Sequence, residues 1–197
     1  MKFVLATFNR DKARELTEVL ALLALPDLEI VPLADWEGAT APAEDGETLA
    51  DNARIKARAA LARTGLPAIA DDTGLEVDAL AGAPGVHSAR YAGPEASSAE
   101  NIARLLRELA GVPGASRTAR FRTVCVALHP DGREWVAEGV LEGSILEVGR
   151  GTRGFGYDPV FALPGGRTLA ELEAGEKNAI SHRARAVRAL ATALAAG

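Results

Sequence analysis

Residues 117–129 and 133–146 alternate between apolar and polar side chains, and Pro130-Asp131-Gly132 lies between the two runs. Period-two alternation on both sides of such a turn specifies two long antiparallel strands joined as a hairpin. Around this hairpin, shorter apolar runs alternate with helical stretches. Residues 2–6 read as a buried strand and the turn Thr7-Phe8-Asn9-Arg10 follows. A helix is expected over 11–24, with Leu16, Val19, Leu20 and Leu23 at core spacing. Leu28 to Leu33 reads as a second strand, and residues 34–46 as a long acidic loop. A helix from Glu47 to Thr64 is stopped by Gly65. A short strand, Leu66 to Ala70, ends in Asp71-Asp72-Thr73-Gly74, and Leu75 to Leu80 continues extended. A Gly/Pro loop over 81–94 leads to a helix opened by Ser97-Ser98-Ala99-Glu100, which has capping-box spacing, and ended by Gly111, Pro113 and Gly114. After the hairpin come a glycine-rich loop, 149–159, and a last helix over 176–196. The order β, α, β, α, β, β, α, β, β, α specifies an α/β fold with a mixed sheet flanked by helices.

The chain has 197 residues, with no repeat, low-complexity tract or clear linker, so a single domain over 1–197 is expected. Hydrophobic residues make up 48% and charged residues 25%, which excludes a disordered or fibrous chain. The net charge of −5 speaks against nucleic acid and anionic membrane as partners. Cys125, the one cysteine, permits no internal disulfide and no thiolate cluster. The apolar run after Met1 is too short for a signal-peptide core, and no window reaches the roughly 18 apolar residues of a membrane span. A cytoplasmic protein is the expectation.

Of the 22 basic residues only Lys2, Lys12, Lys56 and Lys177 are lysine, so a lysine here suggests a use for a compact ammonium. Lys12 falls in the first turn of a helix, where the dipole disfavours a cation unless an anion docks at the turn. Thr7 and Asn9 would add donors to that anion; alternatively Asn9 caps the helix and Lys12 is solvated, and the segment alone favours this second reading. On a helical wheel Glu47, Asp51, Arg54 and Arg58 share one side, while Lys56 lies among Leu49, Ala53 and Ala60. A cation on an apolar stripe needs a partner or a route to water, so Lys56 either snorkels or serves a pocket. Arg183 shares a stripe with Val187, Leu190 and Leu194. It is an inward cation at a helix start that calls for something anionic or planar. His182 beside it is either structural or a hydrogen-bonding group.

Asp71 and Asp72 close an apolar strand, where adjacent side chains face opposite ways, so only one can serve a given site. The pair suits Mg²⁺ or general-base work, with Thr73 adding a hydroxyl and Glu44 a second metal oxygen; a plain polar turn is the alternative. In Gly154-Phe155-Gly156-Tyr157-Asp158 the glycines allow close approach to a flat ligand. Phe155 would stack on that ligand and Asp158 would accept from a ring N–H; otherwise this is a structural loop with Tyr157 in the core. Taken together these groups suit a polyphosphate, a divalent metal and a flat base. Neither Gly-x-x-x-x-Gly-Lys-Ser/Thr nor Gly-x-Gly-x-x-Gly after a strand occurs, so side chains and helix ends would hold the phosphates.

Five ordered segments carry a resemblance. They are Leu5-Ala6-Thr7-Phe8-Asn9-Arg10-Asp11-Lys12, Ala70-Asp71-Asp72-Thr73-Gly74-Leu75, Gly85-Val86-His87-Ser88-Ala89-Arg90-Tyr91, Gly154-Phe155-Gly156-Tyr157-Asp158-Pro159 and Ile180-Ser181-His182-Arg183. Together they resemble the inosine/xanthosine triphosphate pyrophosphatases over nearly the whole chain. The resemblance implies a homodimeric, Mg²⁺-dependent enzyme with an elongated mixed sheet and two lobes separated by a cleft. The implied reaction is hydrolysis of dITP, ITP or XTP to the monophosphate and pyrophosphate. Thr7, Phe8, Asn9, Arg10, Asp11 and Lys12 resemble the triphosphate turn, and Lys56 the helix-borne phosphate lysine. Asp72 is similar to the proton acceptor and metal carboxylate, with Glu44 the second ligand and Thr73 a substrate contact. Phe155, Gly156, Tyr157, Asp158, Lys177, His182 and Arg183 resemble the substrate and base pocket. Bacterial members commonly carry glycine where this chain has Phe8. A pyrophosphatase for modified pyrimidine triphosphates and a non-catalytic nucleotide-binding regulator remain as alternatives.

Overall fold

The computed structural model describes residues 2–22 and 29–196. β1 (Lys2–Leu5) is buried from Phe3 onward. α1 (Arg10–Leu22) starts where Asn9 caps it, its Oδ1 accepting from the backbone N–H groups of Asp11 and Lys12, each at 3.0 Å. Leu16, Val19 and Leu20 point into the core as their spacing predicts; Leu23, Ala24 and Leu28, also assigned to elements from sequence, lie outside the described residues. β2 (Glu29–Pro32) runs parallel to β1, with Val4 opposite Val31.

α2 (Leu49–Thr64) opens with a reciprocal cap between Thr48 and Asp51 and closes at Gly65, whose φ of 68° lies in the left-handed region. β3 (Ala68–Val77) corrects the sequence reading. The expected break at Asp71-Asp72-Thr73-Gly74 does not occur, and one ten-residue strand runs through it. A strand tolerates buried carboxylates at its centre when each meets a cation, as both do here. β4 (Pro84–Gly85) pairs antiparallel with β3, and α3 (Ser98–Glu108) carries the expected Ser97–Glu100 capping box. β5 (Thr118–Leu128) and β6 (Glu134–Ile145) form the expected hairpin, and β7 (Phe161–Ala162) pairs antiparallel with β6.

The single last helix expected over 176–196 is in fact two, α4 (Ala174–Ile180) and α5 (His182–Ala196). Ser181 between them is extended, with φ −61° and ψ 156°. Serine favours such a capping position because its hydroxyl competes with helical backbone bonding. Among the described residues the strand order is β2-β1-β3-β5-β6-β7, with β4 on β3. Parallel and antiparallel pairs coexist, so the mixed sheet flanked by helices is borne out.

The chain divides into two compact units. The first comprises Met1–Asp72, Thr123–Gly139 and His182–Gly197, the second Thr73–Arg122 and Val140–Ser181. The first is built on Phe3, Leu5, Leu16, Ile69, Cys125, Val187 and Leu190. The second is built on Leu75, Leu105, Phe121, Tyr157, Phe161 and Leu169, with the rings of Phe121 and Phe161 4.7 Å apart.

In the first unit β6 meets the start of α5 at Gly139. A Cβ there would lie 2.1 Å from the His182 carbonyl oxygen and 2.4 Å from the Ala186 nitrogen, both backbone atoms. Gly139→Ala is therefore expected to cost about 3 kcal/mol, the upper range for overpacking, read as a lowered urea midpoint. Gly175→Ala in α4, where nothing lies within 4 Å of the added carbon, is expected to leave the midpoint unchanged or slightly raised.

Candidate active site

Asp71 and Asp72 leave β3 on opposite faces and meet different cations, all within the first unit. Asp71, with a fully buried side chain, lies 3.3 Å from Lys12 Nζ of α1 and 3.4 Å from Arg183 Nε of α5. Arg183, 2% exposed, also donates through Nη1 to Glu15. Burial alone would raise the Asp71 pKa, but Lys12, Arg183 and Lys56 outweigh it and hold the carboxyl well below its ordinary range. Burial likewise opposes the charge on Arg183, and Asp71 and Glu15 reverse the balance and raise its pKa.

On the other face, Asp72 accepts from Lys56 Nζ at 2.9 Å and from Asn52 Nδ2 at 3.2 Å, both on α2. Lys56 also reaches Glu44 of the acidic loop at 3.3 Å. Asn52, fully buried, turns its Oδ1 to the Gly46 N–H at 2.9 Å and so pins the end of that loop beside Asp72. Burial works against the charge on Lys56, yet Asp72, Asp71 and Glu44 together raise its pKa. The partner that an inward Lys56 requires is thus a pair of carboxylates, Glu44 and Asp72, sharing one ammonium.

In the turn before α1, Thr7 Oγ1 accepts from the Asn9 N–H at 3.2 Å. Asn9 is the helix cap, as the simpler sequence reading has it, but Lys12 is held by Asp71 rather than merely solvated. Arg10 is exposed, Asp11 pairs with Arg14, and the Phe8 ring is 38% exposed. His182 is buried at the start of α5.

A second group lies wholly within the second unit. Asp158 Oδ2 accepts from the Phe155 N–H at 2.9 Å and from Lys177 Nζ at 2.5 Å. The Lys177 ammonium sits 4.8 Å from the centre of the Phe155 ring. Glycine is required at 154, since a Cβ there would stand 2.0 Å from the Asp158 carboxylate and φ is +73°. Tyr157 packs in the core and donates its hydroxyl to the Ser88 carbonyl at 2.9 Å. Thr73, partly buried, begins this unit on β3. Lys12, Lys56 and Arg183 therefore converge on adjacent carboxylates in one unit, while Lys177 is held by Asp158 in the other.

Known proteins resemble this chain along its length. The Ham1 family model matches residues 3–193. A dITP/XTP pyrophosphatase of Geobacillus kaustophilus is 52% identical over 190 residues, covering 96% of this chain and 92% of that protein. The solved HAM1 protein of Coxiella burnetii superposes with a TM-score of 0.89 at 41% identity, covering 100% of both chains. A Mycobacterium abscessus structure described as a nucleoside-triphosphatase / dITP/XTP pyrophosphatase gives a TM-score of 0.78 at 45% identity, covering 98% of this chain and 100% of that one. The chain belongs to the Ham1 family.

In this Ham1 chain two polar groups of the site escape a reading of motifs. Glu15 stands three residues after Lys12 and four before Val19, so a carboxylate on the buried stripe of α1 is the visible signal. Asn52 occupies the Leu49–Ala53–Lys56 stripe of α2 in the same way. A polar side chain at a core position of an amphipathic helix has to find a partner, and both do.

The Asp71 carboxyl has a folded pKa below its unfolded value near 3.8. Its contribution to stability is therefore fully present above that value and is lost as pH falls through and below it. Asp71→Asn is expected to cost about 3 kcal/mol at pH 7, because buried Arg183 and partly buried Lys12 lose their shared anion, and to flatten the acid-side fall in stability. Urea midpoints of both proteins between pH 7 and pH 2 measure this.

Proposed function

We propose that this Ham1 protein is a nucleoside triphosphate pyrophosphatase that hydrolyses non-standard purine nucleotides, dITP, ITP or XTP, to the monophosphate and pyrophosphate. The observation that carries the reading is the pairing of Asp72 with Lys56 beside Glu44, with Lys12 on the neighbouring Asp71. It is supported by the activity named for relatives about half identical over nearly the full length. The charge cluster of the first unit suits a triphosphate. The glycine-framed Phe155, with Asp158 and Lys177, suits a flat base, and residues 1–197 are proposed to act as one catalytic domain.

A hydrolytic water attacks the α-phosphorus and the bond to the β-phosphate bridging oxygen breaks, so pyrophosphate leaves. Lys12 and Lys56 offset phosphate charge, an electrostatic contribution that grows in a partly buried site. Both Asp72 oxygens already accept a hydrogen bond, from Lys56 and Asn52, which fixes the carboxylate plane for orienting the water. Thr7, Asn9 and Arg10 supply polar groups along the turn, and Thr73, His182 and Arg183 are proposed to complete substrate recognition.

Mg²⁺ fits this donor set. Among the described residues no three His, Cys, Asp or Glu side chains form a metal cage, and the two carboxylates on Lys56 are oxygen donors. Mg²⁺ characteristically takes one or two carboxylates and completes its shell with substrate phosphates and water. Glu44 and Asp72 would hold it, and when bound it polarises phosphate oxygens and neutralises their charge.

Base choice follows from hydrogen bonding. Hypoxanthine and xanthine present a 6-oxo group and an N1–H, whereas adenine presents an amino group and a bare N1. A site built for the first pattern leaves buried groups unpaired with the second. A homodimer in the cytoplasm accompanies this proposal; the dimer rests on the resemblance, the compartment on the single cysteine and the nucleotide substrate. Among the described residues no helix is long and apolar enough to cross a membrane.

With Mg²⁺, purified protein is expected to release one pyrophosphate per dIMP from dITP. Turnover of dATP, dUTP and methylated pyrimidine triphosphates is expected to be much slower. Asp72→Asn is expected to lower kcat by about 100-fold or more. Release of orthophosphate alone from dITP, or full activity in the variant, refutes the assignment.

A further inference from the structure

The segment Gly85-Val86-His87-Ser88-Ala89-Arg90-Tyr91 recurs in the sequence resemblance, yet none of its residues has been given a chemical task. The second unit binds this segment tightly. Ser88, buried, uses its hydroxyl twice: Oγ accepts from the Leu75 N–H of β3 at 2.8 Å and donates to the Gly85 carbonyl at 2.6 Å. Asn101 of α3 clamps the following turn, donating to the Ala89 carbonyl at 3.1 Å and accepting from the Ala92 N–H at 2.7 Å. The Arg104 guanidinium lies 4.3 Å from the centre of the Tyr91 ring. The Ser88 carbonyl, held in this way, receives the Tyr157 hydroxyl at 2.9 Å.

Tyr157 stands between Phe155 and Asp158 in a loop whose glycines, 154 and 156, have φ of +73° and +61°. Glycine frees the backbone of such a loop, so its position must be imposed from outside. The Asp158–Phe155 bond is internal to the loop, and the Asp158 carbonyl accepts from the Ala170 N–H at a long 3.3 Å. The Tyr157–Ser88 bond is shorter than that backbone contact; beside the Lys177–Asp158 pair, which holds the carboxylate from α4, it ties the loop to β3 through Leu75. Because this hydroxyl is directed into the core, it is not offered to a ligand.

We propose that Ser88 is a positioning residue for base recognition: through Tyr157 it fixes where the Phe155 ring and the Asp158 carboxylate stand. The inference rests on the proposed function, which assigns Phe155 and Asp158 to the base. Loss of the link is expected to loosen ground-state binding of the base and blur its selection, leaving phosphate chemistry intact.

The test uses Tyr157→Phe, Ser88→Ala, the double variant and the conservative Ser88→Thr in the full chain. Each single variant is expected to raise KM for dITP about five-fold, the loss of roughly one hydrogen bond, with kcat within about two-fold. Preference for dITP over dGTP should narrow. Ser88→Ala keeps the carbonyl that Tyr157 bonds but frees it from β3, whereas Tyr157→Phe cuts the bond itself; because the two act in series, the double variant should be no worse than the worse single one, and Ser88→Thr should retain most of the wild-type KM. Equal loss of kcat with unchanged KM, or additive effects, overturns the proposal. Amide hydrogen exchange over residues 153–158 gives a readout without substrate: faster exchange in Tyr157→Phe and Ser88→Ala supports the link, and unchanged exchange refutes it. If the wild-type protein releases no pyrophosphate from dITP, the functional reading fails, while the exchange measurement still decides the link.

Discussion

Two neighbouring carboxylates at the centre of a buried strand can both be ionised only if the fold brings a cation to each. That constraint organises the first unit. Asp71 draws Lys12 from α1 and Arg183 from α5, while Asp72 draws Lys56 from α2. Strand alternation sends the two acids to opposite faces, so the helices on both faces are bound to one dipeptide. Glu15 supplies a second anion for Arg183, and Lys12, Arg183, Asp71 and Glu15 together carry no net charge. Removing one member would leave a charge in a medium that solvates it poorly, which makes the set interdependent. A cluster of this kind is weak evidence for stability but strong evidence for a fixed geometry, since alternative packings would strand an ion.

Most elements were legible because their signals are local. Period-two alternation gave the hairpin, Ser97 and Glu100 gave a cap, and Gly65 gave a stop in the left-handed region. Three elements depart from the sequence reading: Leu75 to Leu80 stays extended only to Val77, with a 3-10 turn over Asp78–Leu80, and the other two lie at Asp71-Asp72 and Ser181. Asp71-Asp72-Thr73-Gly74 has the composition of a turn, and the cations that let it stay in a strand come from sequence positions up to 112 residues away. Ser181 looks like one more residue of a helix until its extended backbone separates α4 from α5. At Asp71-Asp72 tertiary partners override what the local sequence favours, whereas at Ser181 a local capping preference interrupts the helical pattern. The site divides along the same line. Lys56 stood out because a lone ammonium on an alanine stripe needs a partner. Asn52 and Glu15 on comparable stripes passed unremarked, since neither belongs to a contiguous motif.

The scarcity of lysine acquires a physical sense in this frame. Arginine serves the ion pairs along the surface, such as Arg54–Glu134 and Arg167–Glu176, and the buried fork at Arg183. Lys2 makes a surface pair with Glu29, but two buried lysines hold a compact charge shared between groups: Lys56 between Glu44 and Asp72, and Lys177 between the Asp158 carboxylate and the Phe155 ring. A guanidinium spreads its donors over a rigid planar fork, at Arg183 divided between Asp71 and Glu15, whereas an ammonium gathers its donors on one small centre.

The turn before α1 shows how a triphosphate can be met without a glycine-rich phosphate loop. A free helix N-terminus offers backbone N–H groups to an anion, but here Asn9 already occupies those of Asp11 and Lys12. Phe8 stands exposed at the same turn, a side chain where glycine would have none. What remains to face an anion includes two cationic side chains, exposed Arg10 and Lys12, the latter more exposed than Arg183, with which it shares Asp71. Of the two cations that share Asp71, Arg183 is locked by Glu15 and Asp71 and Lys12 retains contact with solvent. On the proposed function, attraction for the triphosphate at this turn is therefore carried by the side chains of Arg10 and Lys12 more than by fixed amides. Such a site selects for charge more than for the shape of the phosphate chain, and discrimination among nucleotides has to come from the base.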